Sequence, residues 1–185
     1  GDWLEIELNS GLLFPSGSAS PTSSAKAILS VIYDVIGSSS NFIRVRGYTD
    51  NQPINTEVFS SNWELSVYRA TAILRLLEEL EMNPARMAIE GYGEYYPEAN
   101  NVTATGRAQN RRVVIAISKY GLEKANLLDT PTISVKDVEA INNIVDADNN
   151  DQQIRVIQLE NGGIRITTRE ESEKPTVADN EDGNN

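Results

Sequence analysis

The sequence predicts a two-layer α/β sandwich, with a small mixed sheet that carries helices on one face. Three observations favour this class. The first residues alternate apolar and polar side chains, as a half-buried strand does. Two longer segments place apolar residues at helical spacing. Short apolar runs bounded by turn residues lie between and after them. The resulting element order is β-α-β-α-β-(α)-β.

The first strand is predicted over residues 3–8, where the alternation is regular. Residues 9–11 are expected to form a turn, and residues 12–14 to be extended again. A helix is predicted to begin at Ser20-Pro21 and to end at Gly37, since glycine often closes a helix in the left-handed conformation. Its apolar stripe consists of Ala25, Ile28, Leu29, Ile32, Val35 and Ile36.

The second helix is predicted from Asn62 to Leu80. Ser61 and Glu64 have the spacing of a capping box at its start, and the Asn83-Pro84 pair follows its end. The remaining elements of the sheet are short. A strand is predicted before this helix, over residues 41–47. After the helix, strands are predicted over residues 86–92 and 111–118, with a short helix between them over residues 103–109.

The chain is expected to divide into three parts. Residues 1–120 form the α/β domain, and residues 121–169 an extension with a short helix, a polar linker and a hairpin. Two alternating runs around Asn161-Gly162-Gly163 predict that hairpin. Residues 170–185 are acidic and poor in apolar side chains, so disorder is expected there.

Composition excludes several functions. The chain has no cysteine and no histidine, which removes thiol catalysis, cysteine-based zinc sites and the commonest general base. The net charge of −11 argues against nucleic acid as a partner. No apolar run is long enough to span a membrane, and the start does not look like a signal peptide. We predict no cofactor and no metal ion.

Three separate motifs follow one another along the chain in the order that one family has. A strand enters an acidic turn at residues 43–51, a capped helix starts at residues 61–70, and an arginine cluster precedes the last strand at residues 106–115. Over residues 3–120 this resembles the OmpA-like peptidoglycan-binding domain. The stretches at residues 51–54 and 61–66 are similar to the flagellar stator branch, which comprises MotB, PomB and MotD, with the MotD type nearest.

The resemblance implies a non-catalytic protein that binds peptidoglycan and anchors a flagellar stator to the cell wall. It implies recognition of the diaminopimelate (DAP) in the stem peptide. It further implies a homodimer and a stator A subunit (MotA/MotC-like), contacted through a membrane helix that is missing from this sequence. The chain would then be the periplasmic domain of a single-pass inner-membrane protein.

Two charged residues are expected to contact the ligand. The family places an Asp at position 50 and an Arg at position 69 against DAP. The free end of DAP is a zwitterion, so one anion and one cation suit it. On local grounds Arg69 falls on the apolar edge of its helix and needs an anionic partner. The alternative is a structural ion pair, with Asp50 as one candidate partner, and Asp50 could otherwise bond its own loop.

The family site adds further residues. The resemblance places Thr49 beside Asp50, and Asn62 and Leu65 at the start of the helix. The opposite wall would include Arg107 and Asn110, followed by Arg111 and Arg112. Trp63 is interpreted as an anchor of the core or of a loop. Most OmpA-like domains have histidine where this chain has Tyr48, which leaves the ligand pair unchanged.

Two other functions stay open. One is an outer-membrane anchor of the OmpA or Pal type. The sequence around Trp63 argues against it, and so does the Pro53-Ile54 loop. The other is a hydrolase that cleaves the cell wall with two carboxylates, such as Asp50 with Glu90 or Glu94. Glycosidases need such a pair at a defined separation, and nothing in the sequence indicates one.

Overall fold

The computed structural model describes residues 2–121, 154–158 and 164–168, and the chain divides into two compact units, residues 1–128 and 129–185. The first contains four strands, four α-helices and a short 3₁₀ turn at Pro84–Arg86 among its described residues. In chain order they are β1 (Trp3–Asn9), α1 (Ser10–Leu13), α2 (Ser23–Ile36), β2 (Ile43–Gly47), α3 (Asn62–Glu79), β3 (Met87–Gly91), α4 (Ala104–Asn110) and β4 (Arg112–Ser118).

The four strands form one mixed sheet in the order β1-β4-β2-β3. β2 and β3 are parallel, whereas β4 runs antiparallel to both β1 and β2. In this register Gly47 lies opposite Gly91 and Val113, and Asn9 lies opposite Arg112. One end of the sheet therefore collects the end of β1, the end of β2 and the start of β4. The predicted α/β class is confirmed.

The core lies between the sheet and the helices. Fully buried side chains from strands and helices fill it, among them Ile43, Val45, Ile115, Leu29, Ile73 and Leu77. Helix α3 crosses β2 and β3 at very short range. A side chain at Gly47 would overlap the backbone carbonyl of Ser66, and one at Gly91 would collide with Val67. The two glycines therefore allow α3 to lie directly on the sheet.

Helix α3 begins at the predicted residue and has the predicted cap. The Ser61 hydroxyl accepts a hydrogen bond from the backbone N–H of Trp63 at 3.2 Å. Glu64 accepts from the hydroxyls of Ser61 and Ser60, and the Ser61 bond is the main reason that the pKa of Glu64 is lowered. The cap fixes where α3 starts, and so fixes the direction in which its first residues point.

The opposite face of the sheet carries charged and aromatic side chains. Glu90 forms ion pairs with Arg44 at 3.0 Å and with Arg46 at 2.9 Å, and Arg46 also bonds Glu5 at 2.7 Å. Tyr48 stacks on Tyr92 with 5.0 Å between ring centroids, and the Arg112 guanidinium lies 4.0 Å from the Tyr48 ring. Tyr48 and Arg112 therefore belong to this face.

The prediction for residues 9–14 was wrong. Ser10–Leu13 form one helical turn, and the chain becomes extended only at Phe14. The Asn9 side chain accepts from the Gly11 N–H at 2.8 Å, which favours a helical start over a simple turn. Helix α2 begins at Ser23, capped by Thr22, and not at Ser20-Pro21 as predicted. Gly37 ends it with φ −60°, a right-handed conformation, where a left-handed one was expected.

The described part of the second unit consists of two strands. β5 (Ile154–Gln158) pairs with β6 (Ile164–Thr168) in antiparallel register, with Ile154 opposite Thr168. The strands of the predicted hairpin are confirmed. Its turn, the predicted short helix before it and the acidic tail lie outside the described residues, and the three-part division of the chain stays a prediction. Within the described ranges, no helix is long and apolar enough to cross a membrane.

Candidate ligand-binding site

A pocket of about 640 Å³ opens at the sheet end where β1 and β2 finish and β4 starts. Three walls enclose it. The first is α1 with the loop that follows, the second is the loop after β2, and the third combines the start of α3 with two arginines near α4. The lining residues are Ser10, Gly11, Phe14, Pro15, Ser16, Gly17, Thr49, Asp50, Gln52, Pro53, Ile54, Asn62, Leu65, Arg69, Arg107 and Arg111.

Asp50 supplies the negative charge of the pocket and is 7% exposed. One carboxylate oxygen accepts from the Gln52 N–H at 3.0 Å, and the other accepts from Arg111 at 2.5 Å. Thr49 is buried beside it and donates its hydroxyl to the Asp50 carbonyl at 2.9 Å. The carboxylate thus bonds its own loop, as one interpretation predicted, and also faces a cation across the pocket.

Arg69 is the buried cation of the pocket, with 4% exposure. Its Nε donates to the Ser18 carbonyl at 2.9 Å, and its guanidinium lies 5.3 Å from the centre of the Phe14 ring. Burial lowers the pKa of Arg69 to about 10, with a smaller contribution from Arg111, while Asp50 acts in the other direction. The side chain remains charged at neutral pH.

Arg69 has no carboxylate partner among the described residues. The candidate ion pair with Asp50 was wrong, because Arg111 pairs with that carboxylate instead. The two residues are 61 positions apart and meet because β4 starts beside the end of β2. A buried charge without a counter-ion is costly, so the pocket holds a cation suited to an anionic ligand.

Asn62 and Leu65 extend the pocket wall along the first turn of α3. The Asn62 amide donates to the Gln52 carbonyl at 3.0 Å, to the Asp50 carbonyl at 3.3 Å and to the Glu94 carboxylate at 2.6 Å. Leu65 gives the wall an apolar patch. Asn62 therefore joins the loop after β2 to helix α3. This connection keeps Asp50 and Arg69 in the lining of the same pocket.

Arg107 and Asn110 have different positions. Arg107 lines the pocket, and one terminal nitrogen donates to the carbonyls of Asn101 and Val102 at 2.9 and 3.1 Å. Asn110 is fully buried and does not belong to the pocket lining. Its amide oxygen accepts two backbone N–H groups and its nitrogen donates twice, all at 2.8 Å, which uses its bonding capacity within the fold.

Six of the seven predicted site residues thus line one pocket. Arg112 lies on the opposite face of the sheet. Trp63 is 47% exposed and stacks on Tyr95 with 4.9 Å between ring centroids, so it fits a loop anchor and is not a core residue. Sequence reasoning missed the whole wall from Ser10 to Gly17. The only local signal for this wall was the Gly-Ser-rich stretch after Phe14, and such a stretch does not indicate which site the wall borders.

The pocket is positively charged although the chain is acidic overall. Three arginines and one aspartate line it, an excess of two positive charges. This arrangement can bind a group that has an ammonium and a carboxylate, with positive charge left over. In the described ranges no group of three or more acidic, histidine or cysteine side chains is placed to hold a metal ion.

Comparisons with known proteins identify the family. The model of the OmpA family matches residues 13–111. Motility protein B of Bacillus subtilis is 39% identical over 128 residues, which cover 66% of this chain and 48% of that protein. The chain spans about half the length of the first curated relatives it matches.

Several solved structures are similar in fold. The cell wall anchor of the type VI secretion system (T6SS) of Pseudomonas aeruginosa superposes with a TM-score of 0.60 at 35% identity, over 63% of this chain and 82% of that one. The periplasmic domain of Helicobacter pylori MotB, residues 97–256, superposes with a TM-score of 0.58 at 27% identity, over 79% of this chain and 93% of that one.

Proposed function

Because this chain belongs to the OmpA family and its domain is MotB-like, we propose that it binds peptidoglycan without catalysis and anchors a flagellar stator to the cell wall. The observation that carries the proposal is Arg69, a buried cation that faces the pocket without a carboxylate partner among the described residues. The similarity to a cell wall anchor and to a periplasmic MotB domain supports it.

The ligand we propose is the free end of DAP in the stem peptide. Its carboxylate would bond the outer nitrogens of Arg69, since Nε is already used by the Ser18 carbonyl. Its ammonium would bond Asp50. Arg111 pairs with the Asp50 carboxylate, and the Arg111 side chain is 41% exposed, so it has room to move away when the ammonium binds. The ligand ammonium then replaces the Arg111 guanidinium as the cation that bonds Asp50.

The positions of the acidic residues favour binding over hydrolysis. Asp50 is the one carboxylate among the residues that line the pocket. Glu90 lies on the opposite face of the sheet between two arginines, and Glu94 accepts a hydrogen bond from Asn62. Neither of the carboxylate pairs considered from the sequence is therefore arranged around an open substrate position, as a glycosidase would need.

We further propose that the chain is the periplasmic domain of a single-pass inner-membrane protein and works as a homodimer with a MotA/MotC-like stator A subunit. The relation to Motility protein B supports this context. Light scattering of the chain should give twice the monomer mass of 20.4 kDa. A monomer at every accessible concentration would argue against dimerisation through this part of the protein. The assignment to the MotD type stays a prediction.

Stem peptides with DAP should bind more tightly than the same peptides with lysine. Lysine keeps an ammonium for Asp50 and lacks the carboxylate for Arg69. The lost charged hydrogen bond is worth about 1.5–3 kcal/mol, which is roughly ten- to more than a hundredfold in affinity. Isothermal titration calorimetry on the two peptides measures this, and mass spectrometry of the recovered muropeptide should find it intact.

The variant Asp50→Ala should weaken both peptides, because both carry the ammonium. Asp34→Ala is the matched control, since it removes an exposed carboxylate from α2. Equal affinity of the wild type for the two peptides would refute the proposed role of Arg69. A cleaved muropeptide would refute the non-catalytic assignment.

A further inference from the structure

Two exposed aromatic side chains stack on each other beside the pocket. The centroids of the Trp63 and Tyr95 rings are 4.9 Å apart, with 25° between the ring planes. Trp63 is 47% exposed and Tyr95 is 59% exposed. We call this pair the aromatic platform. Contiguous apolar surface that stays in water often marks a binding site, because a partner that covers it gains free energy.

The aromatic platform continues the pocket wall onto the surface of the domain. Trp63 directly follows Asn62 in α3, and Asn62 lines the pocket. Tyr95 directly follows Glu94, whose carboxylate accepts a hydrogen bond from the Asn62 amide at 2.6 Å. Both rings are therefore one residue away from a bonded pair at the pocket wall, and a ligand that leaves the pocket on this side passes over them.

The loop that carries Tyr95 is held in place at its glycine. The Thr49 N–H donates to the Gly93 carbonyl at 2.8 Å, and the Gly93 N–H donates to the Ser66 hydroxyl at 3.1 Å. A Cβ added at Gly93 would lie 3.6 Å from the Trp63 ring, so the indole packs on this residue. The platform is thus ordered before a ligand binds, which lowers the entropic cost of binding.

The chemistry of the platform fits a sugar ring. The C–H face of a pyranose is flat and apolar and stacks on aromatic rings, whereas the hydroxyl groups around its edge need hydrogen-bond partners. Glu94 lies next to Tyr95 in the chain, and its carboxylate has acceptor capacity beyond the bond from Asn62. An apolar surface with an acceptor at its edge therefore meets both needs of a pyranose.

The proposed ligand carries a sugar at a suitable distance. We propose that Trp63 and Tyr95 form a stacking site for a pyranose ring of the glycan strand to which the stem peptide is attached. The proposal rests on the proposed function and extends it from the peptide to the sugar. DAP is the third residue of the stem peptide, so about 10 Å of extended peptide separates it from the sugar. Asn62 and Trp63 are consecutive, with Cα atoms about 3.8 Å apart, so a sugar at this distance can reach the platform.

Two ligands that differ only in the sugar test the proposal by isothermal titration calorimetry. One is the tripeptide that ends in DAP, with an acetylated N-terminus. The other is the same tripeptide on its disaccharide of N-acetylglucosamine and N-acetylmuramic acid. The wild type should bind the disaccharide-linked peptide about two- to tenfold more tightly, as expected for one stacked ring. Tyr95→Ala should lose this gain and bind the acetylated tripeptide with wild-type affinity.

Controls separate stacking from structure. Tyr68→Ala is the matched control, because Tyr68 is 52% exposed on the same helix and packs on Phe59, outside the platform. This variant should keep the gain from the sugar. Tyr95→Ala should melt close to the wild-type temperature, since its ring is mostly exposed. If Tyr95→Ala keeps the full gain from the sugar, or weakens both ligands alike, the sugar site is overturned.

The sugar site and the DAP site fail in different ways. If the wild type binds both ligands equally, the sugar site is refuted and the DAP site stands. If the wild type binds neither, the proposed function is refuted, and the sugar site with it. Light scattering of Tyr95→Ala checks for a protein partner in place of the sugar. A lower mass than the wild type, with the gain from the sugar retained, would make the platform a contact between two copies of the chain.

Discussion

Arg69→Met should remove the recognition of DAP and leave the stability of the domain within about 1 kcal/mol of the wild type. Binding falls because the ligand carboxylate loses its charged partner, a loss of about 1.5–3 kcal/mol or roughly ten- to more than a hundredfold in affinity. Stability changes little because the charge is buried without a carboxylate partner among the described residues. Methionine avoids that desolvation and fills a similar volume.

Calorimetry with the DAP and lysine peptides measures the binding, and thermal or urea unfolding measures the stability. The variant should bind the two peptides equally. Arg75→Met is the matched control, because Arg75 is exposed on the same helix. If Arg69→Met unfolds several kcal/mol more easily while retaining its preference for DAP, the guanidinium serves the fold and the ligand assignment is wrong.

Gly47→Ala should destabilise the domain by about 3 kcal/mol or more. The added Cβ would overlap the Ser66 carbonyl oxygen and lie 2.8 Å from the carbonyl carbon, and both are backbone atoms that no rotamer change can move. Overpacking of this kind usually costs about 1–3 kcal/mol, and more where backbone must shift. Helix α3 would have to move off the sheet and take Asn62 and Arg69 with it.

The expected result is therefore a double loss, in the free energy of unfolding and in affinity for DAP peptides at a temperature where the variant is still folded. Urea unfolding followed by calorimetry tests both. Gly121→Ala is the control, because the nearest atom to its added Cβ is the Ser40 carbonyl oxygen at 3.9 Å. A wild-type melting temperature for Gly47→Ala would contradict the tight contact between β2 and α3.

The sequence predicted the parts of the site that depend on one element. Asp50 follows a recognisable strand, and Arg69 stands on the apolar edge of a capped helix, so both could be located from periodicity and the family motifs. It could not predict which cation pairs with Asp50. That depends on β4 lying beside β2, which brings together two residues that are 61 positions apart in the chain.

Two further differences have local causes that composition does not reveal. The Asn9 side chain turns the chain into a helical turn, which places Ser10 in the pocket wall. Asn110 resembled a ligand residue in its motif, yet the backbone of Glu98 and Ala99 and the side chain of Asn101 use all of its amide. The first outcome depends on a side-chain cap, and the second on the course of the loop that precedes α4.

The antiparallel pairing of β1 with β4 has a mechanical consequence for the proposed anchor. The seven paired residues of β1 run from Trp3, opposite Ser118, to Asn9, opposite Arg112, and the pocket lies at the Asn9 end. Tension between the start of β1 and a ligand held in the pocket is directed along the strand. Its hydrogen bonds are then sheared together, whereas a pull across the strand would open them one after another. The topology therefore distributes a sustained load over the whole length of the strand.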